Sequence, residues 1–352
     1  MQKEAILVLC GGKSAEHEIS LLTATNILKE IDSEKYDVHL VCVTKEGHWL
    51  YIKLTDFVFE TSDPKLIEIP IQKGRKVTLL PACKELLFLD NQERISIDLA
   101  FPVIHGTTGE DGCLQGYLNI CGVPFVGSDV LGSAVGMDKI FMKRILRDAN
   151  ILNADFMAYK KEDLSLVNTT KIIEKLSLPV YVKPANMGSS IGVTKVEDET
   201  RLMSAIEYAF NFDSKVLIEE EIKGREIEVA VIGNNEIEAS LPGEVLTENN
   251  QYYSFEEKYL KGGQCNTACP ASLDNKLVQE VQKLAKRVFK LLDCRGLARV
   301  DFFISVSGRI YINEINTIPG FTQISMYPQL FMLAGLSYQA LIDKLIKLAK
   351  DK

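Results

Sequence analysis

Four polar side chains at alternate positions stand in two mostly apolar stretches near the end of the chain. Arg299 and Asp301 belong to Ala298-Arg299-Val300-Asp301-Phe302-Phe303, and Glu314 and Asn316 to Ile310-Tyr311-Ile312-Asn313-Glu314-Ile315-Asn316. Side chains alternate faces along a strand, so Arg299 shares a side with Asp301, and Glu314 with Asn316. Their neighbours Val300, Phe302, Ile312 and Ile315 are apolar, which argues against an ordinary solvent face. Two carboxylates and an amide oxygen make a hard, all-oxygen set suited to Mg²⁺. The alternative is a structural ion-pair network around Arg299.

Three further segments carry chemistry. In Leu178-Pro179-Val180-Tyr181-Val182-Lys183-Pro184-Ala185-Asn186-Met187-Gly188-Ser189-Ser190-Ile191-Gly192-Val193, a lysine ends a strand and a Gly/Ser turn leads into another. Glycine lets backbone N–H groups approach an anion closely, and Lys183 adds a point charge for phosphate oxygens. The spacing is not that of a Walker A loop, and an ordinary hairpin is the plainer alternative. Val216-Leu217-Ile218-Glu219-Glu220-Glu221-Ile222-Lys223-Gly224-Arg225-Glu226 is an apolar run, an acidic cluster and a new strand. It is either an exposed charged turn or a link between two lobes that offers backbone groups to a purine and Glu226 to ribose hydroxyls. At Leu9-Cys10-Gly11-Gly12-Lys13-Ser14-Ala15-Glu16-His17-Glu18 a buried strand breaks at two glycines before a helix. A helix start there suits an anionic group, and Glu16 suits a substrate ammonium. The G-x-G-x-x-G spacing of a dinucleotide fold is missing.

The elements needed to hold these groups follow from periodicity. Short apolar runs at Ala5–Cys10, Val38–Val43, Leu99–Ile104 and Val123–Val126 alternate with helical patterns at Ile19–Ile31 and Leu114–Ile120. This alternation predicts an α/β layer with a largely parallel sheet, and Thr61–Pro81 reads as a loop or peripheral hairpin. From Gly127, helices at Val130–Val135, Lys139–Ala149, Thr170–Leu176 and Thr200–Phe210 mix with strands at Phe156–Tyr159, Val180–Lys183, Val193–Val196 and Lys215–Glu220. The last part has a strand at Ile227–Ile232, a periodic helix at Leu277–Leu292, a hairpin across Ser307-Gly308, and a closing surface helix at Tyr338–Lys350. Three units result: 1–127, 128–220 and 221–352.

Composition narrows the class. The chain has 352 residues, 46% hydrophobic and 25% charged, as expected for a folded protein of more than one core. A formal net charge of −8 argues against a nucleic-acid or anionic-membrane partner. No signal-peptide pattern or membrane-length apolar stretch is present, so the expectation is a cytoplasmic protein with reduced thiols. Cys265 and Cys269 lack a second ligand pair nearby, which disfavours zinc.

Taken in order, these segments resemble the ATP-grasp superfamily and, within it, the D-alanine–D-alanine ligases. The likeness covers nearly the whole chain. It rests on Gly11 to Glu18, His105-Gly106-Thr107-Thr108-Gly109-Glu110-Asp111-Gly112, Met137-Asp138-Lys139, Glu257-Lys258-Tyr259 and Asn313-Glu314-Ile315-Asn316-Thr317-Ile318-Pro319-Gly320. The resemblance implies a three-domain ATP-grasp architecture and ligation of two D-alanines through a D-alanyl phosphate, for peptidoglycan precursor synthesis. It implies ATP contacts from Lys139, Lys183, Ser190 and Lys258, an adenine pocket lined by Glu219 and Ile222, and a ribose held by Glu226. Asp301, Glu314 and Asn316 would bind two Mg²⁺, with Mn²⁺ as a substitute. Glu16 and His105 would border the first D-alanine. Arg299 and the Gly320 N–H would stabilise the oxyanion, and Ser325 with the Met326 backbone would hold the second carboxylate. Glu16, Ser189 and Tyr259 would form a hydrogen-bonded set that holds the Thr247–Gln264 loop closed as a lid, and the family implies a homodimer.

Ser254 and Phe255 stand where the family's lid often has an acidic residue and a tyrosine, which bears on lid detail alone. Rival specificities are D-alanine–D-serine and D-alanine–D-lactate ligation. The Lys258-Tyr259 pair disfavours lactate, whose ligases carry a histidine in the lid. A non-catalytic nucleotide-binding module is the rival from another class, but it would need no oxyanion donor such as Arg299.

Overall fold

In the computed structural model, which describes residues 3–57, 67–246 and 267–351, the first apolar run forms β1 (Glu4–Gly11). Its residues 6–11 are all buried, and α1 (His17–Glu30) follows the glycine break. β1 pairs in parallel with β2 (Tyr36–Val43). Beyond β2 the sheet continues through β3 (Trp49–Ile52), β4 (Arg75–Leu80), β5 (Glu85–Phe88) and β6 (Arg94–Ser96), each antiparallel to the one before. β7 (Leu99–Pro102) returns to the other side of β1 in parallel. A largely parallel sheet therefore needs correcting: the parallel part is the heart around β1. A tight turn such as the one at Gly47 can join only antiparallel neighbours, because a parallel pair needs a long crossover. Val123–Val126 is not a strand and touches the sheet through a single bridge between Phe125 and Ala100. Thr61–Pro81 contains β4, and its residues 61–66 lie outside the described residues.

After α2 (Cys113–Cys121), helices α3 (Val130–Met137) and α4 (Lys139–Asp148) meet at Asp138. The Asp138 carboxylate accepts from the N–H groups of Ile140 and Phe141 at 3.0 and 3.1 Å, which starts α4 there. Next come β8 (Phe156–Lys160), α5 (Thr169–Leu176), β9 (Val180–Pro184), β10 (Thr194–Val196), α6 (Leu202–Ala209) and β11 (Lys215–Glu220). The strands form an antiparallel sheet in the order β10-β9-β11-β8. Ile172, Val182, Ile206, Val216 and Ile218 fill the space between this sheet and its helices.

The third sheet is built on β12 (Gly224–Gly233), with β13 (Ile237–Ala239), β14 (Gly243–Val245) and β15 (Thr267–Ala268) towards one edge. α7 (Asn275–Leu291) turns Val281, Ala285, Val288 and Phe289 inward, the helical spacing of a single apolar face. β16 (Gly296–Ser305) pairs with β12 on one side and with β17 (Ile310–Asn316) on the other. α8 (Met326–Leu333) and α9 (Tyr338–Lys350) end the chain.

α9 does more than cover its own unit. Its Leu341, Ile342, Leu345 and Ile346 share one core with Ile6 and Phe101 of the first sheet and Leu21 of α1. The ion pair Lys35–Asp343 at 2.6 Å and the pair Lys350–Glu4 frame that joint. An apolar joint of this kind resists the relative motion usual between domains. It holds the loop after β1 in place against the loop after β17. Among the described residues, no helix is long and apolar enough to cross a membrane.

Candidate active site

Two cavities meet over β17. The larger, about 710 Å³, lies between the second and third sheets, a volume ordinary for a small-molecule site. The smaller, about 70 Å³, has room for a compact ligand of about five or six non-hydrogen groups. Lys139, Gly188, Ser189 and Glu314 line both, so they mark the junction.

In the large cleft, Lys183 is the last residue but one of β9 and Glu219 lies diagonally across on β11, where strand pairing brings side chains on one face together. Lys183 Nζ donates to Glu219 Oε2 at 2.9 Å. A second ammonium, Lys143 Nζ on α4, stands 3.0 Å from the other oxygen, Oε1. Burial alone would raise the Glu219 carboxyl, but the two lysines outweigh it and hold it down to about 2. Ile222, Glu226 and Ser190 line the same cleft. Lys139, one helical turn before Lys143, donates to the Met187 carbonyl at 2.8 Å and lies 3.3 Å from Glu314 Oε2. The loop it holds carries Ser189 and Ser190 with φ of 51° and 62°. Two consecutive left-handed non-glycine residues cost about 1–2 kcal/mol each, strain that clusters at functional sites.

The small cavity is walled by the first sheet's loops. Glu16 precedes α1 without capping it, and Ser189 Oγ donates to Glu16 Oε1 from the opposite unit. Gly106 has φ +72°, and a Cβ there would lie 2.7 Å from Glu16 Oε2, so a side chain would strain the backbone and displace that carboxylate. His105 is buried, which pulls its imidazole below the usual range. As the neutral ring it donates from Nδ1 to the Ile318 carbonyl at 2.9 Å and accepts at Nε2 from Thr23 Oγ1 at 3.0 Å.

Glu110 holds the same residue from the other side, accepting from Ile318 N and Gly106 N, both at 2.8 Å. Ile318 is thus held at both its N–H and its C=O, two residues before Gly320, which lines the cavity. Glu110 is part of a quoted motif but no role follows for it from sequence, because its two acceptors' partners are backbone groups far apart in the chain.

Glu110 also gives a pH expectation. Burial, then the nearby Glu16 charge, raise its carboxyl from the ordinary 4.5 to about 8, against its two backbone donors and Lys139. Arg299 and Glu314 face the same cavity from β16 and β17. The folded state therefore keeps a proton that the unfolded chain has released. The associated stability is full below pH 4.5 and is lost as pH climbs through about 8. Glu110→Gln should flatten the fall in melting temperature between these pH values, whatever its effect at any single pH. Parallel slopes for the two proteins would remove this assignment.

Strand register places the four polar residues of β16 and β17 on one face, Arg299 opposite Asn316 and Asp301 opposite Glu314. The Arg299 guanidinium grips Asp301 with two bonds of 2.7 Å and lies 3.3 Å from Glu228. Asn316 Nδ2 donates to Asp301 Oδ2 at 2.9 Å. The ion-pair network considered from sequence is therefore present. It does not exclude a cation. The bond from Nδ2 turns the Asn316 amide oxygen away from Asp301, and Glu314 and Asn316 both line the small cavity. Oxygen donors facing a polar cavity fit a hard cation. His, Cys, Asp and Glu alone form no metal-holding group of three among the described residues, so the amide is needed to complete a set.

Two expected substrate residues stand back from both cavities. Ser325 Oγ accepts from Thr322 N at 3.0 Å and shares a bond with Thr322 Oγ1 at 2.8 Å. Met326 is buried, its sulfur 3.0 Å from Cys269 Sγ. Their place at the start of α8 leaves them beside the Gly320 loop. Lys258, Tyr259 and the Thr247–Gln264 lid lie outside the described residues. Lys143 was missed because a lysine among apolar helix positions carries no motif, and its partner is 76 residues away (219 − 143).

Comparison with known proteins identifies the family. Residues 5–128 match the family model described as "D-ala D-ala ligase N-terminus", and residues 145–347 match "D-ala D-ala ligase C-terminus". The D-alanine–D-alanine ligase of Oceanobacillus iheyensis is 45% identical over 99% of this chain and 96% of its own length. D-alanine–D-alanine ligase A of Chromobacterium violaceum is 44% identical over 100% of this chain and 96% of its own. Among solved structures, the D-alanine–D-alanine ligase of Coxiella burnetii superposes with a TM-score of 0.86 at 36% identity, covering 99% of this chain and 96% of that one. The VanG D-Ala:D-Ser ligase of Enterococcus faecalis does so with a TM-score of 0.84 at 34% identity, covering 99% and 100%. The chain belongs to the D-alanine–D-alanine ligase family and has its ATP-grasp fold.

Proposed function

We infer that the chain joins two D-alanines into D-alanyl-D-alanine with ATP, supplying a peptidoglycan precursor. The observation that carries this is the meeting of a nucleotide-sized cleft and a small amino-acid-sized cavity at Lys139, Ser189 and Glu314. ATP fills the large cleft, with the base against Glu219 and Ile222, the ribose at Glu226, and the phosphates at Lys139, Lys183 and the Ser189–Ser190 backbone. The first D-alanine occupies the small cavity, its ammonium towards Glu16 and its carboxylate towards the junction. A free carboxylate is a poor acyl donor, so transfer of the γ-phosphoryl group supplies the leaving group. The amine of the second D-alanine then attacks the acyl phosphate, displacing phosphate and losing a proton.

Arg299 and the Gly320 N–H are the donors for the oxyanion formed in that attack, and His105 and Glu110 hold the peptide that leads to Gly320. Preorganised donors of this kind are effective because they need no rearrangement as charge develops. Two Mg²⁺ ions (or Mn²⁺) at Asp301, Glu314 and Asn316 would offset phosphate charge. Ser325 and Met326 serve the second carboxylate from the start of α8. Roles for Lys258 and Tyr259 rest on the sequence resemblance alone. The three units 1–127, 128–220 and 221–352, a homodimer and a cytoplasmic location belong to the same proposal.

Phosphate release from ATP across D-alanine, D-serine and D-lactate, with products identified by mass, tests it. The expected result is D-alanyl-D-alanine as the main product at neutral pH. A main product containing D-serine or D-lactate would replace the substrate assignment. No amino-acid-dependent phosphate release would remove the ligase reading altogether.

A further inference from the structure

We infer that Lys143 is a positioning residue which neutralises Glu219 from beneath the large cleft and so leaves the charge of Lys183 available to the nucleotide's phosphates. This rests on the proposed nucleotide site. Glu219 carries an ammonium on each oxygen, Lys143 on Oε1 at 3.0 Å and Lys183 on Oε2 at 2.9 Å. One carboxylate balances one of these cations, so the trio has a net positive charge.

The two lysines are not equivalent. Lys183 and Glu219 line the cleft, whereas Lys143 is 1% exposed and does not line it. Among the described residues, Lys143 Nζ also has no hydrogen-bond partner apart from this ion pair. The pair is therefore where its charge is satisfied. Burial draws its ammonium below the ordinary lysine range, and Glu219 opposes that pull. Of the two cations, only Lys183 can exchange its carboxylate for a ligand in the cleft.

That exchange needs Lys143. If Lys183 left Glu219 with no second cation present, a buried carboxylate would be stranded, a strongly unfavourable state. With Lys143 in place the remaining pair stays neutral, and Lys183 can turn towards phosphate. α4 thus supplies two cations one turn apart with different tasks: Lys139 at the cavity junction, Lys143 behind the cleft wall.

A base-free probe isolates the phosphate half of the site. Inorganic tripolyphosphate and ADP are titrated calorimetrically into the full chain and its variants. Lys143→Met should bind tripolyphosphate about tenfold more weakly, within the range of coupling between close charges. In turnover its KM for ATP should rise by more than its kcat falls, a split that a general loss of folded protein does not produce. Glu219→Gln should bind tripolyphosphate more tightly than the unchanged protein, because no carboxylate competes for Lys183. The double variant K143M/E219Q should recover tripolyphosphate affinity to within about twofold, though ADP binding stays weak without the base contact.

Unchanged tripolyphosphate binding in K143M overturns the inference, as does a double variant as weak as K143M. If K143M does not fold, Glu219→Gln decides: no gain in tripolyphosphate affinity overturns the inference. Failure of the unchanged protein to bind ADP would instead remove the nucleotide site itself, a separate outcome.

Discussion

Arg299→Met lowers turnover by about 10²–10³-fold, the usual cost of deleting one preorganised oxyanion donor. It also destabilises the fold. Arg299 is the bidentate partner of Asp301, which is 2% exposed, and removing one member of such a pair leaves an uncompensated buried carboxylate. Breaking a buried pair in this way costs about 3–5 kcal/mol. The lower end applies here, because burial already raises the Asp301 carboxyl to about 6 despite the guanidinium beside it. Without Arg299 the group takes up a proton at little further cost. The penalty should therefore be larger at pH 8 than at pH 5, measured by denaturant unfolding. The double variant R299M/D301N separates the effects: stability returns most of the way, and turnover does not. Turnover near that of the unchanged protein in R299M would end the oxyanion assignment, however the stability behaves.

Much of the scaffold is legible in the sequence because burial on one face leaves a period. β1, β11, β16 and β17 are found within a few residues, and α9 at its observed ends, Tyr338 and Lys350. That Arg299 shares a side with Asp301, and Glu314 with Asn316, follows from alternation alone, whereas the pairing register is what puts the two pairs on one face. The antiparallel extension β3–β6 was not legible. Its strands are short, and β4 and β5 alternate only partly between buried and less buried residues. Helix α8 was missed for a related reason: Met326, Tyr327, Pro328, Leu330 and Phe331 are all buried, so no amphipathic stripe marks it.

The site divides in the same manner. Residues that face a ligand cavity come in compact motifs, such as Gly188-Ser189-Ser190, whose composition advertises the turn. Residues that act through those residues carry no local mark of that role. Glu110 works through the Ile318 N–H, Lys143 through Glu219, and α9 through a core it shares with β1 and α1. Each depends on a contact between distant parts of the chain, and no local pattern encodes such a contact. The junction of the two cavities is likewise a property of three sheets packed together, and the Glu16–Ser189 bond across it, implied by the resemblance, follows from no local pattern.

Glu314→Gln tests the cation site most directly, since the change keeps shape and removes charge. Its partner is Lys139 at 3.3 Å, and the two side chains are 26% and 13% exposed. Losing one partly exposed ion pair of that kind costs at most about 1 kcal/mol, so the melting temperature should shift little. Turnover should fall far more, by at least about 100-fold, because even groups that merely support metal ligands are worth about 10–100-fold. The divalent-cation dependence should move with it: the Mg²⁺ concentration for half-maximal rate should rise, since an amide oxygen is a weaker donor than a carboxylate. Binding of ADP in the absence of divalent cation should survive, because the substitution releases Lys139 from its carboxylate and leaves Lys183 and Glu219 untouched. A structural ion-pair role predicts the opposite pattern, with a lower melting temperature and an unchanged Mg²⁺ requirement. Near-normal turnover of the variant at ordinary Mg²⁺ would leave the network around Arg299 as the whole function of these residues, and the phosphate charge would then have to be met by Lys139, Lys183 and the backbone of the Ser189–Ser190 loop alone.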